Sequence, residues 1–183
     1  MYRKCTTEIS VRHQKQVEQA LLELMQKFSY EDITVTLLCA EAGITRRIFY
    51  HLFNNKADAL YAMIDHCILE VESYRLDVTD PTVRFFRYWK DHRRLMDVLQ
   101  ENNFSGLLLE RIIDRVMQED YDFRYWLRLC GWKNERDIIV FTISGIMGLT
   151  FRWYYGGFRE SPEEMAQLLE KIIVNPIAGL PAG

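Results

Sequence analysis

Apolar residues recur at helical spacing along almost the whole chain, and short polar breaks divide them into a series of helices. From about Glu8 to Ser29, Val17, Ala20, Leu21, Leu24 and Phe28 share one side, while Gln and Lys residues fill the other. Three short helices are expected between Ile33 and Leu60. Thr34 or Thr36 can cap the first, because a hydroxyl accepts a hydrogen bond from an orphan N–H at a helix start. Leu37, Leu38, Ala40 and Ala42 give that helix an apolar side. Gly43 stops it, since glycine adopts the left-handed conformation without a Cβ penalty. Thr45 caps the second helix, and Asn54 or Asn55 ends it and caps a third that starts near Lys56. Two helices joined by a tight glycine turn form a helix-turn-helix pattern, whose second helix enters the major groove of DNA.

That second helix, about Arg46 to Phe53, sorts into two arcs at helical spacing. Ile48, Phe49, Leu52 and Phe53 form an apolar arc able to anchor a short helix to a core. Arg46, Arg47, Tyr50 and His51 form the opposite arc. Arginine pairs bidentately with guanine O6 and N7, and a tyrosine hydroxyl bonds phosphate oxygens. The same four residues could be an ordinary solvated face. The glycine turn before them and the Asn-Asn-Lys helix start after them favour DNA.

The pattern beyond is helical throughout. Lys56 to about Leu76 carries Leu60, Ile64, Cys67, Ile68 and Val71 on its inner side. Asp80 caps a helix with Pro81 in its first turn, bearing Phe85, Phe86, Tyr88 and Trp89. A helix from about His92 to Glu101 is broken by Asn102-Asn103, and Ser105 caps the next. Tyr121, Phe123, Tyr125 and Trp126 mark a segment from Asp120 to Trp132, ended by Gly131. Two further helices follow. One runs from about Asn134 to Tyr155, and the other from about Pro162 to Val174 with Ser161 as cap and Glu163-Glu164 favourably placed near its positive end. Pro176, Gly179 and Pro181 make the last residues non-helical. The fold class expected is all-α, and the helix from Asn134 is so apolar that most of its sides must be covered. Ser144, Gly145 and Gly148 are small enough for another helix to approach it closely. Phe85, Phe86, Trp89, Phe104, Trp126, Phe141 and Trp153 are expected around a cavity suited to an apolar or aromatic small molecule. Aromatics at this spacing also simply fill a core. Arg152 and Asp137 are the charged residues nearest that cavity by helix placement, or else sit at helix ends.

The length of 183 residues suits one or two small domains, and 49% hydrophobic residues supply a substantial core. The net charge of −3 is unevenly spread: eight basic against six acidic residues leave +2 up to Lys56, and −5 beyond it. A mildly positive head on an acidic body fits local contact with DNA rather than wrapping. Four cysteines are scattered with no CxxC spacing, so reduced thiols are expected, with a redox sensor the lesser reading. The first ten residues lack an apolar signal core. The longest uncharged run, Ile138 to Phe151, is shorter than the ~20 residues that span a bilayer. No membrane partner and a cytoplasmic location are expected. Four histidines are dispersed, with no Ser/His/Asp, Cys/His or Glu-x-x-His arrangement and no glycine-rich phosphate loop. The chain is therefore expected not to be an enzyme, with no catalytic residue and no cofactor. His66 and Glu70 lie four apart without a third metal ligand, which reads as a surface pair and no metal site.

Thr34-Val-Thr36, Ala40-Glu-Ala-Gly43-Ile44, Phe49-Tyr50-His51-Leu52-Phe53, and Lys56 followed by Leu60 resemble the N-terminal domain of TetR/AcrR-family transcriptional regulators. The resemblance implies a helix-turn-helix DNA-binding domain over residues 1–56, a linking helix over about 56–76, and a regulatory and dimerisation domain over 77–183. It implies a bacterial homodimer whose third helices read the halves of a palindromic double-stranded operator, controlled by a small-molecule effector. Thr34 or Thr36, Thr45, Tyr50, His51 and Lys56 match phosphate-contacting positions, and Arg46 and Arg47 match base-reading ones. Leu52 stands where the family often has Tyr or His, and Ile48 where Ser or Thr is common, so one phosphate contact and one polar base contact are lost. Phe141, the small-residue step, Trp153 and Ser161-Pro-Glu-Glu resemble the C-terminal domain of the branch that includes regulators of dihydroxyacetone utilisation. There the last two helices form a four-helix dimer interface. The function expected is a sequence-specific, ligand-responsive repressor. The alternatives are a helical protein-binding adaptor, or a small-molecule-binding bundle without DNA binding.

Overall fold

The computed structural model describes residues 7–74, 77–118 and 136–174, and every regular element among them is a helix. These are α1 (Glu8–Met25), α2 (Val35–Glu41), α3 (Arg46–Leu52), α4 (Lys56–Ser73), α5 (Pro81–Asp91), α6 (Arg93–Glu101), α7 (Ser105–Gln118), α8 (Arg136–Tyr155) and α9 (Pro162–Val174). The segment expected from Asp120 to Trp132, with Trp126, lies outside the described residues. The first helix is shorter than its apolar pattern. The N–H groups of Lys27 and Phe28 both turn back to the carbonyl of Leu24, and Phe28 is left exposed. A single 3-10 turn, Tyr30–Asp32, then carries Ile33 into the core.

Side-chain caps set the helix starts. Thr34, not Thr36, caps α2: its hydroxyl accepts from the Leu37 N–H at 3.1 Å. Gly43, at φ +65°, closes α2, and the Ile44 N–H reaches back to the Cys39 carbonyl at 3.0 Å. Asn55 starts α4 by accepting from the Asp58 N–H at 2.9 Å. Asp58 answers by accepting from the Asn54 N–H at 3.1 Å, which makes a reciprocal cap. Ser161 and Glu164 form the same reciprocal pair at the start of α9. Burial alone would push the Asp58 carboxyl up, but the N–H donors of Asn54 hold it below the usual carboxylate range.

The described residues pack as two units. The first takes the chain up to Ile68, together with Asp97–Phe104. Leu21, Leu24, Ile33, Leu38, Phe49, Phe53 and Ile64 fill its core. Glu18 of α1 is buried there, bonded to Gln14 and at 2.7 Å to His66 of α4. His66, expected to form a surface pair with Glu70, thus also makes a cross-helix bond to α1. The second unit holds Leu69–Met96 and the chain from Ser105. In it α5 lies along α9, and α8 lies along α7. Trp153 is fully buried, donates to the Glu160 carbonyl at 3.2 Å, and meets Phe86 and Phe158 edge-on. With 20 residues, α8 is long and apolar enough to cross a membrane, although its uncharged run alone is not. One of its sides is buried, with Ile139, Ile143, Ile146, Met147 and Trp153 covered.

Asp58→Ala is expected to lower stability by about 1–2 kcal/mol at neutral pH, because it leaves the orphan N–H of Asn54 without its acceptor. A carboxyl held below its unfolded value contributes stability above that value and loses it as pH falls through the folded one. The difference between the two proteins in urea unfolding should therefore be full at neutral pH and close under acid, below about pH 4. A difference that stays constant into acid would refute the assignment.

Candidate nucleic-acid interface

Helix α3 has only two turns, and both of its ends are tied. The Thr45 hydroxyl accepts from the Ile48 N–H at 3.3 Å, and the Phe53 N–H donates to the Phe49 carbonyl at 2.9 Å. Phe49, Leu52 and Phe53 are buried and Ile48 is partly so. The opposite arc is turned to solvent, with Arg46, Arg47, Tyr50 and His51 all exposed. The Arg46 guanidinium lies 5.9 Å from the centre of the Tyr50 ring, which leans edge-on against Phe49. Among the described residues neither Arg46 nor Arg47 is ion-paired, so both guanidinium groups are available to a partner. Leu52 points into the core.

The other expected DNA-contacting residues are placed less uniformly. Thr34, Thr36 and Thr45 are exposed, the first and last as caps. Lys56 is half-buried, and its ammonium donates to the carbonyl of Tyr30 at 2.5 Å while lying 4.1 Å from the centre of the Tyr30 ring. Asn102 accepts from the Tyr30 N–H at 2.7 Å, and Phe104 meets the Tyr30 ring edge-on at 5.0 Å. Burial, then the nearby Glu31 and Tyr61, push the Tyr30 phenol up to about 12. Tyr30 and Asn102 had no sequence signal, because 72 positions separate them. The N-terminal half of α1 comes alongside α3 and forms a cleft of about 650 Å³, to which Ser10 and His13 contribute beside Tyr50 and His51.

Of the seven aromatics expected around one cavity, four meet one another in the second unit. Phe85, Phe86, Trp89 and Trp153 are fully buried and meet in a chain of edge-on contacts from Trp89 through Phe85 and Phe86 to Trp153. Phe104 belongs with Tyr30 in the first unit, and Trp126 lies outside the described residues. Phe141 is 72% exposed, because it shares the outer arc of α8 with Gly145 and Gly148. A Cβ added at either glycine would meet nothing within 4 Å, and Ser144 beside them is half-buried. Arg152 faces Glu160 at 3.8 Å near the end of α8, and Asp137 is exposed in its first turn, so both take the helix-end reading. Cys39 and Cys67 are buried, and neither is in a disulfide. Burial pushes the Cys39 thiol up, only partly offset by Arg46, which disfavours the reactive thiolate a redox sensor needs.

Residues 77–175 match a TetR-type family model described as a transcriptional regulator C-terminal region. Among solved structures, the dihydroxyacetone kinase operon activator DhaS shares the fold with a TM-score of 0.55 and 21% identity, over 90% of this chain and 96% of its own. No curated protein matches the sequence.

Proposed function

Because this chain belongs to the TetR family of transcriptional regulators, a family of regulators and not of enzymes, we propose that it is a homodimer that binds a palindromic operator through α3 and responds to a small-molecule effector. The observation that carries the reading is the outer arc of α3: two unpaired guanidinium groups, a phenol and an imidazole, held outward by a buried opposite arc. Arg46 and Arg47 read base edges, and Thr34, Thr36, Thr45, Tyr50 and His51 hold the phosphate backbone. Lys56 has at most part of its donor capacity left for a phosphate, since its ammonium already serves the Tyr30 carbonyl. An adaptor that used these helices only as packing would have no use for unpaired arginines on a shared face. Repression needs no contact beyond occupancy of a promoter, and is the mode proposed. The likeness to DhaS, named as an operon activator, is one of fold.

The second copy docks on the outer arc of α8. Phe141 and Tyr155 are large, apolar and exposed, and Gly145 and Gly148 between them leave room for close helix approach. The effector binds in the second unit among aromatic residues of α5 and α8. To release DNA it must favour the conformation that binds DNA worse, since equal affinity for both shifts nothing.

Arg47→Ala is expected to lose roughly 1–3 kcal/mol of affinity for a cognate duplex and much less for a scrambled one, measured by fluorescence anisotropy. Equal losses on both would make Arg47 a backbone contact and not a reader. Gly148→Leu should convert the dimer to a folded monomer in sedimentation, because the site is open within one subunit while bulk at a packed interface costs roughly 1–3 kcal/mol. An intact dimer would place the interface elsewhere. In a thermal-shift screen, an aromatic or lipophilic compound at a hundredfold excess over its Kd should stabilise the fold by about 2.7 kcal/mol and weaken operator binding. Response to small polar metabolites alone would mean that the aromatic residues are solid core.

A further inference from the structure

The cleft between α1 and α3 is walled by hydrogen-bond donors from both helices. Ser10 and His13 come from the first, and Arg47, Tyr50 and His51 from the second. Among the described residues no carboxylate lines it, in a chain with 26 acidic residues against 23 basic ones. That absence is local, because the other groove along α1 mixes Glu8, Glu23 and Glu41 with Arg12 and Lys15. The histidines divide in the same way. His66 is bonded to Glu18, and the Nδ1 of His92 to the Tyr88 carbonyl. His13 and His51, the two on this cleft, have no hydrogen-bond or ion-pair partner among the described residues.

An open cleft of donors with no acceptor charge suits an anion, and on the outer side of α3 the anion of matching chemistry is the DNA phosphodiester. The geometry points to this cleft as the seat of the operator backbone, with His13 and His51 each taking up a proton as phosphate enters, so that DNA binding is coupled to proton uptake. The inference rests on the reading that α3 binds DNA, and adds to it a second helix and a dependence on pH. A nearby negative charge favours imidazolium over imidazole. Histidine is the side chain whose ordinary charge change lies between about pH 5 and 8. The titratable and charged groups that share the cleft with these two imidazoles are Arg47 and Tyr50, so the balancing negative charge must come from the ligand. Thr7, Ile9, Ile48 and Leu52 complete the lining, and its apolar part strengthens a charge pair formed there. Because backbone contacts carry no sequence information, the coupling acts on any duplex.

The test uses the full chain and two fluorescein-labelled duplexes. One is enriched by the protein itself from a random-sequence pool, and the other is a scrambled duplex of equal composition. Affinities are measured by anisotropy at constant ionic strength. From about pH 8 to about pH 6, affinity for both duplexes should rise roughly tenfold. His13→Gln and His51→Gln should each remove part of that rise, and the double variant should show none. His13→Lys, whose charge does not titrate in this range, should bind more tightly than wild type at about pH 8 and have a flatter profile. His51 is exposed, so its variant keeps the fold, and circular dichroism verifies the same for position 13. A wild-type affinity that ignores pH, a double variant that keeps the full rise, or a His13→Lys protein that gains nothing would overturn the inference alone. If no duplex is enriched or bound at any pH, the DNA-binding reading itself fails and this inference falls with it.

Discussion

A helix of seven residues cannot hold its shape in water by its own hydrogen bonds, since isolated helices shorter than about 12–15 residues are marginal. Helix α3 exists because Phe49, Leu52 and Phe53 are buried. Fully burying one such side chain contributes about 1.5–3 kcal/mol. The same burial fixes the rotation of the helix. With Phe49 inward, Arg46, Arg47, Tyr50 and His51 have only the outside left to them. The residues left outside therefore contribute little to the fold, and the residues that make the fold are not exposed. Around this short helix, the Gly43 turn, the Thr45 cap and the Asn55–Asp58 pair set where it begins and where the chain leaves it.

Tyr30 is the second fixed point of the first unit. Its N–H goes to Asn102, its carbonyl takes the Lys56 ammonium, and its ring is met by Lys56 and Phe104. Lys56 opens α4 and Asn102 follows α6, and these are the two helices with residues in both units. Their first-unit ends thus meet on a single residue just before the helix-turn-helix. Charge-assisted hydrogen bonds are among the stronger ones, about 1.5–3 kcal/mol each, so this junction is far firmer than a surface contact.

Helix α8 shows how composition alone can mislead. Its length and apolarity fit a bilayer-crossing helix, yet one side is buried against neighbouring helices of its own unit and the other carries Phe141, Gly145, Gly148 and Tyr155. That second side is an apolar arc left exposed beside two glycines with open space around them. The all-round apolar pattern that the sequence displays is thus the sum of a buried face and an exposed one.

Sequence by itself determined the helices and most of their ends, because helical periodicity and capping act over three or four residues and are written locally. Leu38, Phe49 and Phe53 went inward and Arg46, Arg47, Tyr50 and His51 outward as spacing required. The choice of Thr34 over Thr36, and of Asn55 over Asn54, needed geometry, since either residue type can cap and only backbone angles select one. Expectations that depended on distance between segments fared differently. Spacing along the chain did not show that the Lys56 ammonium reaches the Tyr30 carbonyl, that His66 bonds Glu18, that Phe104 meets Tyr30 or that Phe141 is exposed. The return of Asp97–Phe104 to the first unit, and the meeting of His13 with His51 across one cleft, were likewise decided only by the tertiary structure. The physical reason is common to all of these. A helix face says that a residue must find a partner, but which partner depends on how whole helices pack, and no local pattern encodes that.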